Sequence, residues 1–159
     1  WAPQASLTSS SAASDCYKRQ DLGSKSSRFI YSDVQNTNEF TNEYKGENTK
    51  DVFYTFTLTS PLNITISHCG SEIPDTYIHL LNENGERIGH GVGGDHEHIA
   101  MCDMVGQAYL WANGLPPGTY YVVSEGRYRN GDIITIIEGI APPYWSPWGW
   151  NGKCHWLRK

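Results

Sequence analysis

Residues 51–59 (DVFYTFTLT) constrain the fold more than any other stretch of the chain. Val52, Tyr54, Phe56 and Leu58 fall on one side of an extended backbone, and Phe53, Thr55 and Thr57 on the other. Residues two apart share a face only in a strand, and β-branched and aromatic side chains suit a pleated surface. The alternation predicts a β-strand with an apolar inner face. Ser60-Pro61 breaks it, and Leu62, Ile64 and Ile66 then alternate with Asn63, Thr65 and Ser67 in a strand ending near His68-Cys69. Phe29-Ile30-Tyr31, Arg87-Ile88 and residues 77–81, 108–112, 119–125 and 132–138 read as further strands, with a weaker one at 99–102. Asn84-Gly85 and Asn130-Gly131 are hairpin signals, and Leu115-Pro116-Pro117-Gly118 is a turn. No stretch sustains a 3.6-residue period. Short strands divided by Gly, Pro and Asn predict an all-β sandwich or barrel.

The 159 residues fit one domain, and 20 aromatic side chains argue against a disordered chain. A mean hydropathy of −0.51 argues against a membrane protein. No apolar run reaches the ~18–20 residues of a spanning helix. Of the net charge of −5, the block 51–126 holds nine acidic residues against one basic residue, Arg87. So acidic a block repels phosphate backbones, which excludes nucleic acid as the expected partner. It is compatible with a hard cation held by oxygen ligands, and equally with a solvated acidic surface.

Cys16, Cys69, Cys102 and Cys154 are widely spaced, with no C-x-x-C pair. A zinc ribbon or thioredoxin-like site has no support, and two disulfides formed in an oxidising compartment is the simplest reading. The residues alone leave all three pairings open.

The densest ligand-type cluster lies in the loop 90–103: His90, Asp95, His96, Glu97, His98, Cys102 and Asp103. Imidazole and thiolate suit zinc or nickel, and a metal-dependent enzyme built here would need Cys102 outside a disulfide. Neither H-E-x-x-H nor G-x-S-x-G occurs. Ser67 and His68 are strand neighbours facing opposite ways, so they make a poor dyad. Glu72, Asp75, Asp95 and Asp103 sit in loops where paired carboxylates would serve glycoside hydrolysis. The segment 1–27 reads as a Ser-rich lead-in, 28–140 as the sandwich and 141–159 as an aromatic tail. Tyr144, Trp145, Trp148, Trp150 and Trp156 in that tail can cover the sandwich, anchor a neighbouring domain or subunit, or stack on sugars.

Residues 51–59, the closing phrase Leu115-Pro116-Pro117-Gly118-Thr119-Tyr120-Tyr121-Val122-Val123, and Asp75-Thr76-Tyr77-Ile78-His79-Leu80-Leu81 with Asn84-Gly85 resemble the bacterial pre-peptidase C-terminal domain. Tyr31-Ser32-Asp33-Val34-Gln35-Asn36-Thr37-Asn38, Ser67-His68-Cys69-Gly70-Ser71 and Val122-Val123-Ser124-Glu125-Gly126 are similar to its variant in Rhs (YD)-repeat surface proteins. The resemblance spans residues 29–139. It implies a jelly-roll β-sandwich of about eight antiparallel strands, secreted or at the cell surface. It also implies Cys69–Cys102 as one disulfide, leaving Cys16–Cys154 as the other. Collagen-binding relatives hold calcium just upstream of the first long strand, which here implies Asp33, Asn36, Asn38 and Asp51 as the cation set.

The expectation is a non-catalytic extracellular module with a structural, adhesion or assembly role, no cofactor except an optional Ca2+, and no membrane span. Its partners would be neighbouring domains or copies of itself. The alternatives are a carbohydrate- or protein-binding module using the Trp-rich tail, calcium-assisted or not, and a metal-dependent enzyme using loop 90–103.

Overall fold

The structure, a computed structural model, describes residues 19–92, 102 and 106–143. Ten strands form it: β1 (Gln20–Lys25), β2 (Phe29–Asn36), β3 (Asp51–Leu58), β4 (Leu62–Ser67), β5 (Thr76–Leu81), β6 (Arg87–Ile88), β7 (His90–Val92), β8 (Tyr109–Leu115), β9 (Gly118–Gly126) and β10 (Asp132–Ile140). One 3₁₀ turn, Thr37–Glu39, follows β2, and the described residues include no α-helix. None of their helices is long and apolar enough to cross a membrane.

Sheet I runs β1-β3-β9-β5-β6 and sheet II runs β2-β10-β4-β8-β7. Without the edge strands β1 and β7, the orders 3-9-5-6 and 2-10-4-8 are those of an eight-stranded jelly roll. The expected all-β sandwich is therefore present, with two strands added at its margins. β1 pairs with β3 in parallel; the other pairs are antiparallel. β6 and β7 are nearly continuous, and the chain changes sheets between them at Gly89. That residue has φ +88°, and a Cβ there would lie 3.0 Å from Leu110 Cδ2 and 3.1 Å from the Trp111 carbonyl oxygen. Only glycine makes this crossing without strain.

The alternation of β3 becomes the core. Val52, Tyr54, Phe56 and Leu58 are buried against Leu62, Ile64 and Ile66 of β4, Ile133 and Ile137 of β10, and Tyr120 and Val122 of β9. Phe56 stacks on Tyr120 at 5.6 Å between ring centres and leans on Phe29 at 6.1 Å. Asn84-Gly85 forms the expected hairpin turn between β5 and β6. Gly85 takes φ +77°, and the Asn82 side-chain oxygen accepts from Asn84 N and Glu86 N.

Two features differ from the reading of the sequence. Gln20–Lys25, placed in the lead-in, forms β1 on the edge of sheet I. Asn130-Gly131 is not a hairpin turn, because β9 and β10 belong to different sheets. Asn130 instead reaches across the end of the sandwich, its side-chain oxygen accepting from Lys50 N at 2.9 Å. The weak strand at 99–102 falls mostly outside the described residues. Cys102 is described, and it forms a disulfide with Cys69, with the Cα atoms 5.1 Å apart.

Candidate functional site

The polar chemistry of the described residues collects on both sides of sheet I. Its outer face is read from the strand register. Asp51 of β3 lies opposite Glu125 of β9, which lies opposite Tyr77 of β5; in the next row Phe53, Val123 and His79 are aligned. The chain between the 3₁₀ turn and β3 packs across these rows. Tyr44 packs on His79, their ring centres 4.6 Å apart and the rings inclined at 41°, and joins Leu81 and Val123 in a small apolar cluster, with Phe53 and Tyr121 against it.

Beneath this segment Asp51 is 1% exposed, Glu125 0% and His79 5%. Asp51 Oδ2 accepts from Glu43 N and Tyr44 N, each at 2.7 Å. Both Glu125 oxygens accept from Glu47 N, at 3.2 and 3.1 Å. Glu125 Oε1 is 2.5 Å from His79 Nε2. Gly46 makes this approach possible, because a Cβ there would enter the Glu125 carboxylate. Burial pushes the Asp51 carboxyl up to about 8, and its hydrogen bond to Glu125 pushes the same way. Burial also raises Glu125 and lowers His79 to about 4. His79 is therefore neutral, and its contact with Glu125 is a hydrogen bond rather than an ion pair. Raised this far, the Asp51 carboxyl keeps its proton at neutral pH. Glu125 accepts from two donors, His79 Nε2–H and Glu47 N–H. Asp51 Oδ1 is buried and has no hydrogen-bond partner.

A second polar group lies inside the sandwich. His68 is 0% exposed and its Nε2 lies 2.9 Å from Ser124 Oγ, which accepts from Thr135 Oγ1 at 3.0 Å. Burial lowers His68 to about 3, so its ring is neutral. His68 thus pairs across the two sheets with Ser124, not with its neighbour Ser67. A serine and a histidine at bonding distance have the makings of a nucleophile and base. Ser124 and Thr135 are also fully buried, so substrate has no access to the pair.

Asp33, Asn36 and Asp51 of the proposed cation set are each engaged in hydrogen bonds of their own. Asp33 accepts from Val34 N, from Gln35 Nε2 at 2.8 Å and from Tyr54 Oη. Asn36 bonds Asp132 through its amide and accepts from Asn38 N. Asp51 belongs to the buried cluster with Glu125. Among the described residues no three His, Cys, Asp or Glu side chains group so as to hold a metal ion. Asp75 meets Arg127 at 3.5 Å, and Glu72 accepts from Asp132 N. With Cys102 in a disulfide, the 90–103 loop lacks the thiolate that a metal site there requires. Asp95, His96, Glu97, His98, Asp103, Cys16, Cys154, Tyr144, Trp145, Trp148, Trp150 and Trp156 lie outside the described residues.

Glu125 and His79 are the site residues that the sequence reading missed. Glu125 reads as the polar end of a strand, and His79 as one residue of an apolar strand. The available signal is their alternation: both fall on the face opposite Val122, Ser124, Ile78 and Leu80, where a charge needs a partner.

The outer face of sheet II has a different character. One row crosses all five strands: Ile30, Glu138, Thr65, Trp111 and His90. Ile30 is 69% and Val34 57% exposed. Tyr109 and Trp111 lie half-buried, 6.4 Å apart and inclined at 45°, and His90 leans on Trp111 at 6.3 Å. Glu138, the acidic group in that row, meets Arg28 at 3.3 Å.

No family model matches the chain, and no curated protein matches it. Among solved structures it is similar to the pre-peptidase C-terminal domain of a collagenase from Bacillus anthracis, at 18% identity and a TM-score of 0.44, over 76% of this chain and 93% of that one.

Proposed function

We propose that the chain is a non-catalytic β-sandwich module of a secreted or surface protein, serving structure, adhesion or assembly rather than chemistry. One observation carries the reading: the described groups best suited to catalysis, His68, Ser124, His79, Glu125 and Asp51, are all buried and bonded to the fold. A catalytic group must reach its substrate, and these hold strands and a loop together instead. The Cys69–Cys102 disulfide favours an oxidising compartment. The resemblance of residues 29–139 to pre-peptidase C-terminal domains points the same way.

A second reading, a module for neutral glycans, has its own support. Tyr109 and Trp111 face outward on sheet II between Ser67, Thr65 and Asn63, a setting of rings and uncharged hydrogen-bonding groups. Tryptophan fluorescence during titration with soluble polysaccharides and collagen-type peptides, with calcium and with chelator, separates the two. The structural reading expects no saturable change. A saturable shift abolished by Trp111→Ala would replace it with the glycan reading.

A further inference from the structure

The outer face of sheet II is apolar where β2 and β10 meet. The register sets Ile30 beside Glu138, Ser32 beside Ile136 and Val34 beside Ile134, and Ile140 continues the row on β10. Ile134 and Ile136 are half-buried. Among the described residues the large apolar side chains left exposed are Ile30, Val34, Tyr128 and Ile140, and all but Tyr128 lie on this face. An apolar patch concentrated in this way marks a surface that something covers. The charged side chains that β2 and β10 turn to the same side are Glu138 and Asp132, both acidic. Arg28 meets Glu138, whereas Asp132 accepts from the Asn36 amide, a neutral donor.

The chain leaves this face at its own edge: β10 ends at Ile140, and residues 144–159 continue from there. They bring Tyr144, Trp145, Trp148, Trp150 and Trp156, together with Lys153, Arg158 and Lys159, and no Asp or Glu. The tail thus matches the face in apolar character and opposes it in charge. Its length suffices. From Ile140 back to Asp132 is roughly 26 Å of strand at about 3.3 Å per residue. Residues 141–153, fully extended, span up to about 43 Å, so Lys153 can reach the Asp132 end with slack. Pro142, Pro143 and Pro147 have no N–H to give a ladder, so contact through rings laid on the face is favoured over an added strand on β2.

We propose that residues 144–159 turn back along β10 and cover this face, with their tryptophan rings on Ile30, Val34, Ile134, Ile136 and Ile140 and their basic end towards Asp132. Trp111 lies two strands further across, on β8, and stays outside the cover. The module's exposed apolar face is in this way occupied by its own chain and withheld from a second copy.

Hydroxyl-radical footprinting of the full chain, read residue by residue by mass spectrometry, tests this. Each side chain's oxidation rate is compared with its own rate in the unfolded chain. Ile30, Val34 and Ile140 are expected to be protected severalfold, although the sandwich alone leaves them open, while Tyr128, away from this face, is oxidised nearly as in the unfolded chain. Trp145, Trp148 and Trp150 should be protected with them. An Ile30→Glu/Val34→Glu double variant places charge under the rings, so protection of those three tryptophans should fall severalfold while Phe56 in the core keeps its own. Oxidation of Ile30 and Val34 at the unfolded rate in the parent chain overturns the proposal, and this readout needs no variant to fold. So does unchanged tryptophan protection in the folded variant, which would seat the tail elsewhere. Protection of Ile30 and Val34 that disappears on hundredfold dilution also overturns it, because a second copy would then be the cover.

Discussion

Removing the Cys69–Cys102 bridge is a perturbation whose size follows from the structure. The two cysteines are 33 residues apart, and the bridge joins the end of β4 to the connection before β8. In the chain-entropy model, closing a loop of that length removes roughly 12 cal/mol/K from the unfolded chain, or about 3.7 kcal/mol at 25 °C. With an unfolding entropy of about 2.1 cal/mol/K per residue, a domain this size loses roughly 10–15 °C in Tm. The assay is urea unfolding of the oxidised parent against a Cys69→Ala/Cys102→Ala double variant, with Cys16 and Cys154 left in place. The midpoint should fall. The urea dependence should steepen, because the unbridged chain exposes more surface when unfolded. A loss below about 1 kcal/mol with an unchanged slope would refute the reasoning, because the bridge would then not be restraining the unfolded chain.

Phe56→Ala should cost about 3–5 kcal/mol by urea unfolding, since Phe56 is fully buried between Phe29 and Tyr120; a loss under 1 kcal/mol would mean that the two sheets do not meet there. Gly46→Ala should cost about 1–3 kcal/mol and loosen the 43–47 segment at neutral pH, because the new methyl group must displace the Glu125 carboxylate; unchanged stability would show that the segment is not seated on it. Stability should peak near pH 6.5. His68 and His79 are held down at about 3 and 4, so the unfolded chain takes up their protons first and stability falls as pH drops below 6.5. Asp51 is raised to about 8, so from about pH 4 to pH 8 the folded chain keeps a proton that the unfolded chain has lost; this offsets part of the histidine contribution below 6.5, lowers stability between 6.5 and 8, and adds no slope above 8. Urea midpoints across pH 4–10 check both arms, and a midpoint that climbs between pH 6.5 and 8 contradicts the alkaline one.

Where side chains decide the structure, the sequence is a good guide. The alternation of β3 marks its buried face residue by residue, and Asn84-Gly85 turns the chain where its backbone preference says it should. β1 escapes this reasoning. QDLGSK has one aliphatic side chain, Leu22, and a glycine at φ +71°, so it joins sheet I through backbone pairing with β3. Asn130-Gly131 misleads for the opposite reason. The dipeptide favours a tight turn, but β10 is drawn to sheet II by its partners β2 and β4. The buried cluster is half legible. Asp51 stands out in the sequence, and the resemblance assigns it to calcium. The partner that gives it a role is Glu125, brought opposite by the β3–β9 register. No local pattern in sequence marks a pair assembled by that register. His79 is hidden similarly, its apolar neighbours facing the core while its own ring lies under Tyr44.

That the reactive groups are sealed inside the fold is tested most directly by diethyl pyrocarbonate labelling of the native chain at neutral pH, read residue by residue by mass spectrometry. His90, exposed on β7, should be modified readily, while His68 and His79 should react only after unfolding. Modification of His68 or His79 at the rate of His90 in the folded protein would contradict the account, because the His68–Ser124 pair or the His79–Glu125 pair would then be open to a substrate.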